Sequence, residues 1–343
     1  MKVIKTKFID SIESLRALVN NESQMVILCD HNTEKFCLPL LKLKSNIPII
    51  SISPGELNKS TFSLNHIWNQ LVIHHADRNT VLVNIGGGVI TDLGGLAAAT
   101  FNRGIKFINV PTSLMGMVDA ANGGKTGINF NGLKNYIGTF TWSEVNYIWP
   151  EFLNTLPFDQ IQSGYAEMLK HGLIADKSYF ESLISLELST ESYKKMDWSP
   201  LIKKSVELKN AIVENDFKES GLRKVLNFGH TIGHALESFY CHSNLPHGHF
   251  VSAGILCETF LSHTVGRLDL AESQKIIMAY DTIFTRIPFK ASDKDAIANL
   301  TLKDKKNHNG KIKCVFLEKN GQASIDNEIT LQDVKDSLTF YNS

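Results

Sequence analysis

Short β-branched runs alternate with helical patterns over the first 150 residues, and this rhythm limits the fold more than any other feature. The runs MVILCD (25–30), IPIISI (47–52), TVLVNIGGG (80–88) and IKFINVPTS (105–113) are typical of strands that end in turn or polar residues. Helical patterns lie between them, the longest being STFSLNHIWNQLVIHHA (60–76). Strands that alternate with helices predict βαβ units and a mainly parallel sheet.

The pattern changes after Pro157. FDQIQSGYAEMLKHGLIAD (158–176), WSPLIKKSVELKNAIVEND (198–216) and FVSAGILCETFLSHTVG (250–266) are amphipathic with a helical period, and KIKCVFLEKNG (311–321) is the main strand pattern that follows. We therefore expect an α/β, Rossmann-like N-terminal domain over residues 1–155 and a mainly α-helical C-terminal domain over residues 156–343.

Charge and cysteine usage narrow the function classes. Lys plus Arg and Asp plus Glu both number 35, so no global field favours nucleic acid or an anionic membrane. The five cysteines are scattered without a CxxC pair, which argues against a disulfide framework and a thiolate zinc site. The N-terminus lacks the apolar run of a signal peptide. We expect a cytoplasmic protein that binds neither nucleic acid nor membrane.

Three glycines, Gly86–Gly88, follow an apolar strand and precede a helix in VNIGGGVITDLGG. Such a turn allows a phosphate to approach the backbone at a helix N-terminus, although a tight strand-to-helix turn explains it equally well. The usual GxGxxG with a later acidic residue is absent, and the candidate ribose-binding acid, Asp30, precedes the glycines. In PGELNKS, Glu56 and Lys59 taken alone favour a solvated helix start.

The segment VDAANGGKTGINFNGLKNYIG (118–138) carries Asp119, Lys125, Lys134 and Asn135 among five glycines. A surface hairpin is one interpretation. Lysines and amides beside backbone glycines also suit a phosphorylated ligand, and we favour this second interpretation.

LNFGHTIGHALE (226–237) holds His230 and His234 four residues apart, so both imidazoles face one side of a helix. SGYAEMLKHGL supplies Glu167, which forms either a surface ion pair with Lys170 or part of a metal site. Further imidazoles lie in LPHGHF, at 247 and 249. One carboxylate and two imidazoles make a plausible catalytic zinc site, and spacing alone leaves open which histidines bind.

Taken together, these motifs resemble the 3-dehydroquinate synthases of the sugar-phosphate cyclase family. The resemblance covers nearly the whole chain and includes GGGVITDLGGLAAATFNRG, VPTSLMGMVDAANGGKTGIN, LKNYIGTF, FLNTLP, ENDFKESGLRKVLNFGHTIGHALE, LPHG and DKK. It implies conversion of a seven-carbon keto-acid sugar phosphate, 3-deoxy-D-arabino-heptulosonate 7-phosphate, to 3-dehydroquinate and phosphate. In that reaction NAD would accept a hydride and, as NADH, return it within one turnover, and a divalent metal, Zn²⁺ or Co²⁺, would polarise a substrate oxygen.

The resemblance also implies roles for individual residues. The metal would be held by Glu167, His230 and His247. Catalytic roles would fall on His234, which handles a proton at the leaving phosphate, and on Glu219 and Lys170. NAD would contact Asp30, Glu56, Lys59, Gly86, Gly87, Gly88, Asp92, Thr112, Ser113, Lys134 and Thr155. Substrate would contact Arg103, Asp119, Lys125, Asn135, Lys209, Arg223, Asn227 and either Lys305 or Lys306. Arg103 would reach the phosphate in a neighbouring subunit, which implies a homodimer.

One departure from the family pattern lies beside a metal ligand: this chain has HGH where the family usually has HGE, so His249 replaces an acidic residue. We consider two interpretations, a group that orients His247 and a solvent-facing side chain. The alternatives to the family function are a metal-dependent polyol or glycerol-phosphate dehydrogenase, another sugar-phosphate cyclase, and a non-catalytic NAD-binding relative.

Overall fold

The computed structural model describes residues 5–20, 24–131, 133–241, 243–302 and 311–343. They form two units. Unit 1 contains the described residues of Met1–Pro157 together with Asp197–Phe217, and unit 2 contains those of Phe158–Met196 and Lys218–Ser343. The segment Asp197–Phe217 falls within the C-terminal domain of the sequence analysis but belongs to unit 1.

The strands of unit 1 form a parallel sheet and a separate hairpin. They are β1 (Thr6–Phe8), β2 (Met25–Asp30), β3 (Ile49–Ile52), β4 (Val81–Gly86), β5 (Lys106–Pro111), β6 (Lys125–Phe130), β7 (Leu133–Phe140) and β8 (Asn146–Ile148). The sheet has the order β1-β8-β5-β4-β2-β3 with every pair parallel, and β6 and β7 pair antiparallel. The expected α/β fold with a parallel sheet is confirmed.

The helices of the described chain are numbered in chain order. Unit 1 contains α1 (Ile12–Asn20), α2 (His31–Phe36), α3 (Leu38–Leu41), α4 (Thr61–Ile73), α5 (Gly88–Thr100), α6 (Leu114–Val118) and α9 (Trp198–Asn215). Unit 2 contains α7 (Phe158–Ala175), α8 (Lys177–Ile184), α10 (His230–Phe239), α11 (His247–Thr264), α12 (Leu270–Ile283), α13 (Lys294–Thr301) and α14 (Leu331–Tyr341). Short 3-10 helices cover Glu56–Asn58, Phe101–Arg103, Ala120–Asn122, Pro150–Thr155, Tyr193–Lys195, Leu222–Asn227 and Ala291–Asp293.

The core of unit 1 lies between the sheet and the helices that follow its strands. Leu28 of β2 and Leu82 of β4 belong to one buried cluster with Ile67 of α4 and Leu93 of α5. Hydroxyl and carboxylate side chains cap the N-termini of several of these helices. The Ser60 hydroxyl, for example, accepts a hydrogen bond from the Ser63 backbone N–H at the start of α4. The helices therefore begin soon after the strands end, which places the polar loops at the carboxyl ends of the parallel strands.

Over its described residues unit 2 is mainly helical, as the sequence predicts, and β9 (Ile312–Lys319) and β10 (Gln322–Ile329) form an antiparallel hairpin. The helix α11 is buried along most of its length and packs against α7 and α10. Glycines permit this approach: a Cβ at Gly248 would lie 2.1 Å from the Ser163 carbonyl oxygen, and one at Gly233 would lie 2.7 Å from that of Phe250. Among the described residues, no helix has the length and apolar character to span a membrane.

Candidate active site

The helix α10 begins at His230 with an unusual backbone turn. Gly229 immediately before it has a φ of +80°, a conformation that favours glycine. The Glu258 carboxylate, fully buried on α11, accepts from the backbone N–H groups of Gly229 at 2.7 Å and Thr231 at 3.1 Å. A negative charge at a helix N-terminus is favourable, so Glu258 fixes the point from which His230 projects.

Three imidazoles meet at this end of unit 2. His247 is the first residue of α11, and its ring centroid lies 5.6 Å from those of both His230 and His234. One ligand nitrogen from each of the three lies within 4.8 Å of the others. The structure thus gathers the two expected imidazole ligands and also the histidine expected to handle a proton.

Hydrogen bonds determine which ring nitrogen of each ligand candidate bears a proton. His230 Nδ1 lies 3.1 Å from the Phe228 carbonyl oxygen, which only accepts, so Nδ1 carries the proton and Nε2 keeps its lone pair. His247 Nδ1 lies 3.1 Å from Glu237 Oε2, which orients that ring in the same sense. Metal-binding histidines usually donate their other ring N–H to an acceptor in this way.

Glu167 on α7 supplies the carboxylate. The Glu167 and Lys170 side chains form a salt bridge through Oε2, and because both are buried, the surface ion-pair interpretation is wrong. Glu167 Oε1 lies 3.5 Å from His230 Nε2 and meets no hydrogen-bond donor within the described ranges. Two lone-pair atoms face each other there, and the ligand atoms of a tetrahedral zinc are separated by about 3.4 Å. The spacing of the Glu167 and His230 atoms therefore suits two ligands of one divalent cation.

His249 is buried and does not face solvent, so the solvent-facing interpretation is wrong. Its ring packs edge-to-face on Phe284 at 5.9 Å, and burial lowers the pKa of the imidazole while Asp159 opposes this shift. The carboxylate beside His247 is Glu237, from another helix. Glu237 therefore occupies the orienting position that one interpretation gave to His249.

In unit 1, the glycine turn closes tightly around the start of α5. Gly87 precedes the helix, and a Cβ at Gly87 would lie 3.1 Å from the Ser113 hydroxyl. A Cβ at Gly88 would lie 3.2 Å from Ala120. Thr112 donates its backbone N–H to the Gly86 carbonyl at 2.9 Å. Two of the expected NAD-contacting segments, the glycine turn and Thr112–Ser113, therefore meet beside the N-terminus of α5, where an anion is favourable.

A polar network links the PGELNKS loop to the β6–β7 hairpin. Lys59 is buried and donates to Asp92 Oδ2 at 2.5 Å and to the Asn135 side-chain oxygen. Asn129 donates to Glu56 Oε1 at 2.9 Å, and its own oxygen accepts from the Asn135 backbone N–H. The interpretation of Lys59 as part of a solvated helix start is therefore wrong. Burial raises the pKa of the Asp92 carboxyl, and the Lys59 ammonium opposes this rise.

The remaining expected NAD contacts occupy other parts of unit 1. Asp30 Oδ1 accepts from the Thr33 N–H at 2.8 Å and so caps α2. Burial raises the pKa of the Cys37 thiol to about 11, and the neighbouring side chains of Thr155 and Thr112 oppose this rise. Lys134 is exposed on β7.

The expected substrate contacts fall into two groups. In unit 1, buried Lys209 donates to Asp119 Oδ1 at 2.5 Å and to the Asp119 carbonyl at 2.6 Å, whereas Lys125 is exposed at the start of β6. In unit 2, Asn227 Nδ2 donates to Glu219 Oε1 at 2.6 Å.

Three further positions complete the expected set. Arg223 is buried in unit 2, and Arg103 is exposed in unit 1 with a φ of +67°. Lys305 and Lys306 lie outside the described residues.

Sequence reasoning missed Glu237, Glu258 and Asn129, which hold other site residues in place. Glu237 had a local signal, since it lies three residues after His234 and seven after His230 on one helix face. Glu258 and Asn129 had none, because their partners are remote in sequence.

Models of the 3-dehydroquinate synthase N-terminal and C-terminal domains match residues 49–163 and 164–307. The chain belongs to the 3-dehydroquinate synthase family. The 3-dehydroquinate synthase of Parabacteroides distasonis is 42% identical over 99% of this chain and 96% of its own length.

Two solved structures share the fold. One is 2-epi-5-epi-valiolone synthase from Streptomyces hygroscopicus subsp. jinggangensis with NAD⁺ and Zn²⁺ bound, with a TM-score of 0.89 and 23% identity over 99% of this chain and 97% of that chain. The other is 2-deoxy-scyllo-inosose synthase complexed with carbaglucose-6-phosphate, NAD⁺ and Co²⁺. Its TM-score is 0.83, with 20% identity over 97% of this chain and 95% of that chain.

Proposed function

We propose that this chain catalyses the 3-dehydroquinate synthase reaction, which converts 3-deoxy-D-arabino-heptulosonate 7-phosphate to 3-dehydroquinate and phosphate. It is a carbon–oxygen lyase of the shikimate pathway, which leads to aromatic amino acids. The observation that carries this function is 42% identity to a 3-dehydroquinate synthase across 99% of the chain, and both domain models of the family match. NAD and a divalent metal are its cofactors.

The metal-binding set is Glu167, His230 and His247. In support, Glu167 Oε1 and His230 Nε2 lie 3.5 Å apart, and the Nδ1 atoms of both histidines contact oxygen acceptors. Lys170 pairs with the other carboxylate oxygen, Oε2, so Oε1 would be the oxygen that holds the cation. His234 lies in the same cluster, and we assign it a proton at a ring nitrogen in place of a metal bond.

The NAD site lies in unit 1. The Gly86–Gly88 turn and the start of α5 would bind the pyrophosphate, since a helix N-terminus favours an anion. The other contacts are Asp30, Glu56, Lys59, Asp92, Thr112, Ser113, Lys134 and Thr155. Two contacts support these assignments: the hydrogen bond from Lys59 to Asp92, and the one from the Thr112 backbone N–H to the Gly86 carbonyl.

When bound, NAD supplies a hydride acceptor that is restored within the turnover, and the metal supplies positive charge that polarises a substrate oxygen. The protein positions and neutralises a substrate with two anionic groups. Lys209 donates to Asp119 and so orients it, and Lys125, Asn135, Arg223 and Asn227 supply donors for the substrate. Glu219 accepts from Asn227 and has a carboxylate for proton transfer, and His234 protonates the departing phosphate.

The decisive assay follows phosphate release from 3-deoxy-D-arabino-heptulosonate 7-phosphate while absorbance at the reduced-nicotinamide band is recorded. Phosphate should accumulate over many turnovers without net NADH. Chelator should stop the reaction, and zinc should restore it. NADH that rises in proportion to product would instead indicate the dehydrogenase, and turnover only of sugar phosphates lacking a carboxylate would indicate another cyclase.

We also propose a homodimer in which Arg103 contacts the substrate phosphate of the neighbouring subunit. Its support is the exposed position of Arg103 and the exposed apolar side chains Phe62, Tyr136 and Phe140 in the same unit. An inactive Arg103→Ala protein mixed with an inactive His234→Ala protein should regain activity. In each heterodimer one of the active sites keeps its own His234 and receives an intact Arg103 from the other subunit. Absence of any recovery in confirmed heterodimers would contradict the role in the neighbouring subunit.

A further inference from the structure

Glu237 is a buried carboxylate in a position that its own helix does not explain. It lies near the C-terminal end of α10, where the helix dipole is unfavourable for an anion, and its Oε2 lies 3.1 Å from His247 Nδ1. A buried carboxylate is costly unless it is paired and hydrogen-bonded. Its described partner, His247, belongs to a different helix and to the proposed metal-binding set.

The contact determines the state of the imidazole. A carboxylate oxygen accepts a hydrogen bond, so His247 Nδ1 carries the proton and Nε2 keeps the lone pair that a metal requires. His230 achieves the same state through the Phe228 carbonyl oxygen, which is neutral. The two ligand histidines therefore differ: one is oriented by a backbone dipole and the other by a full negative charge.

The charge matters because His247 begins a helix. At the N-terminus of α11 the aligned backbone dipoles of the helix generate a positive potential, which disfavours a cation bound to His247. An anion at 3.1 Å from the same ring offsets that potential and increases the basicity of Nε2.

We propose that Glu237 is a positioning residue that holds the His247 imidazole in its metal-binding tautomer and orientation. This inference rests on the proposed metal centre. His230, His234 and Glu237 occupy positions i, i+4 and i+7 of α10, so one helix face carries a metal ligand, a proton carrier and the group that orients the second histidine ligand.

The test measures zinc affinity by competition with a chromophoric chelator in the parent and in Glu237→Gln, Glu237→Leu and Glu237→Asp proteins. The glutamine variant keeps an acceptor but loses the charge, and the leucine variant loses both. Zinc affinity should fall about 10-fold for glutamine and about 100-fold for leucine. Aspartate should recover part of the loss. The matched control is Glu181→Gln, a change in an exposed ion pair of unit 2, which should leave zinc affinity unchanged.

Two readouts separate positioning from general destabilisation. Long-range ¹H–¹⁵N NMR on the metal-free parent should show His247 protonated at Nδ1, and the leucine variant should shift it toward the Nε2–H tautomer. The visible spectrum of the Co²⁺-loaded glutamine variant should also differ from that of the parent. An Nε2–H tautomer in the parent, or parent-like zinc affinity in both the glutamine and leucine variants, would overturn the role of Glu237. A parent that binds no zinc would instead overturn the metal centre itself.

Discussion

The chemical role of several side chains in the candidate site follows from their burial and their neighbours more than from their residue type. Glu167 is buried, and its Oε1 faces the lone-pair nitrogen of His230. The same kind of residue on the surface would be an ordinary partner for lysine. Because His234 shares the cluster, individual variants must separate metal binding from proton transfer.

Glu167→Ala should remove most bound zinc, since it deletes the anionic ligand, whereas His234→Ala should keep zinc and lose turnover. Elemental analysis of both purified proteins, with a phosphate-release assay, separates these effects. Full zinc occupancy in Glu167→Ala together with metal loss in His234→Ala would show that the three imidazoles form the metal site.

Lys59→Met should destabilise the protein by about 3 kcal/mol, because it leaves the Asp92 carboxylate buried beside no cation. Burial raises the pKa of Asp92 above its unfolded value, and removal of the Lys59 ammonium should raise it further, so the loss of stability begins as pH rises above the unfolded pKa and is complete above the folded pKa. Urea denaturation should therefore show a smaller deficit at pH 5 than at pH 8. Lys335→Met, in an exposed pair with Asp295, should change stability by less than about 1 kcal/mol. Equal losses at the two positions would contradict the argument.

At the scale of elements, the close contact between α10 and α11 brings the imidazoles together. Gly233 lies between His230 and His234 and faces the α11 backbone at a distance that leaves no space for a methyl group. The Glu258 carboxylate ties the start of α10 to α11 from the same side. The geometry of the proposed ligand set therefore depends on helix packing as well as on the ligand side chains.

Gly233→Ala should cost about 2 kcal/mol, because the added Cβ forces the two helices apart. The separation should also weaken zinc binding, since His230 and His247 lie on opposite sides of the contact. Thermal melting and chelator competition measure the two effects. Ser238→Ala on the exposed face of α10 is the control. Unchanged zinc affinity in a destabilised Gly233→Ala protein would show that the ligands tolerate the shift.

At the scale of the whole molecule, the proposed ligands divide between the two units. The glycine turn and its surrounding network belong to unit 1, and the histidine cluster belongs to unit 2. Ligands that bind the native state suppress local opening near their sites, so each cofactor should protect its own unit.

Hydrogen exchange should therefore slow at the β4–α5 turn when NAD is added to the metal-free protein, and at the starts of α10 and α11 when zinc is added. Mass spectrometry of peptides covering 81–100 and 226–255 reports both effects. Zinc added to Glu167→Ala should leave the second region unprotected. Protection by zinc confined to unit 1 would refute the assignment of the metal site to unit 2.

The sequence alone predicted features that local patterns encode. Alternation of β-branched and helical segments predicted the parallel sheet, because side-chain period and strand-end glycines are properties of short stretches. It missed β1 and β8, each three residues long, because such runs are too short to show a period. The resemblance of motifs to a known family indicated the reaction and suggested the metal ligands.

Tertiary structure decided whatever depends on residues that are distant in the chain. It assigned α9 to unit 1, buried Lys59 against Asp92, and turned His249 toward Phe284. It also paired His247 with Glu237, which determines the proton position on the ring. Burial and hydrogen-bond partners arise from packing between elements, and neither the period nor the composition of a segment specifies which neighbour it will meet.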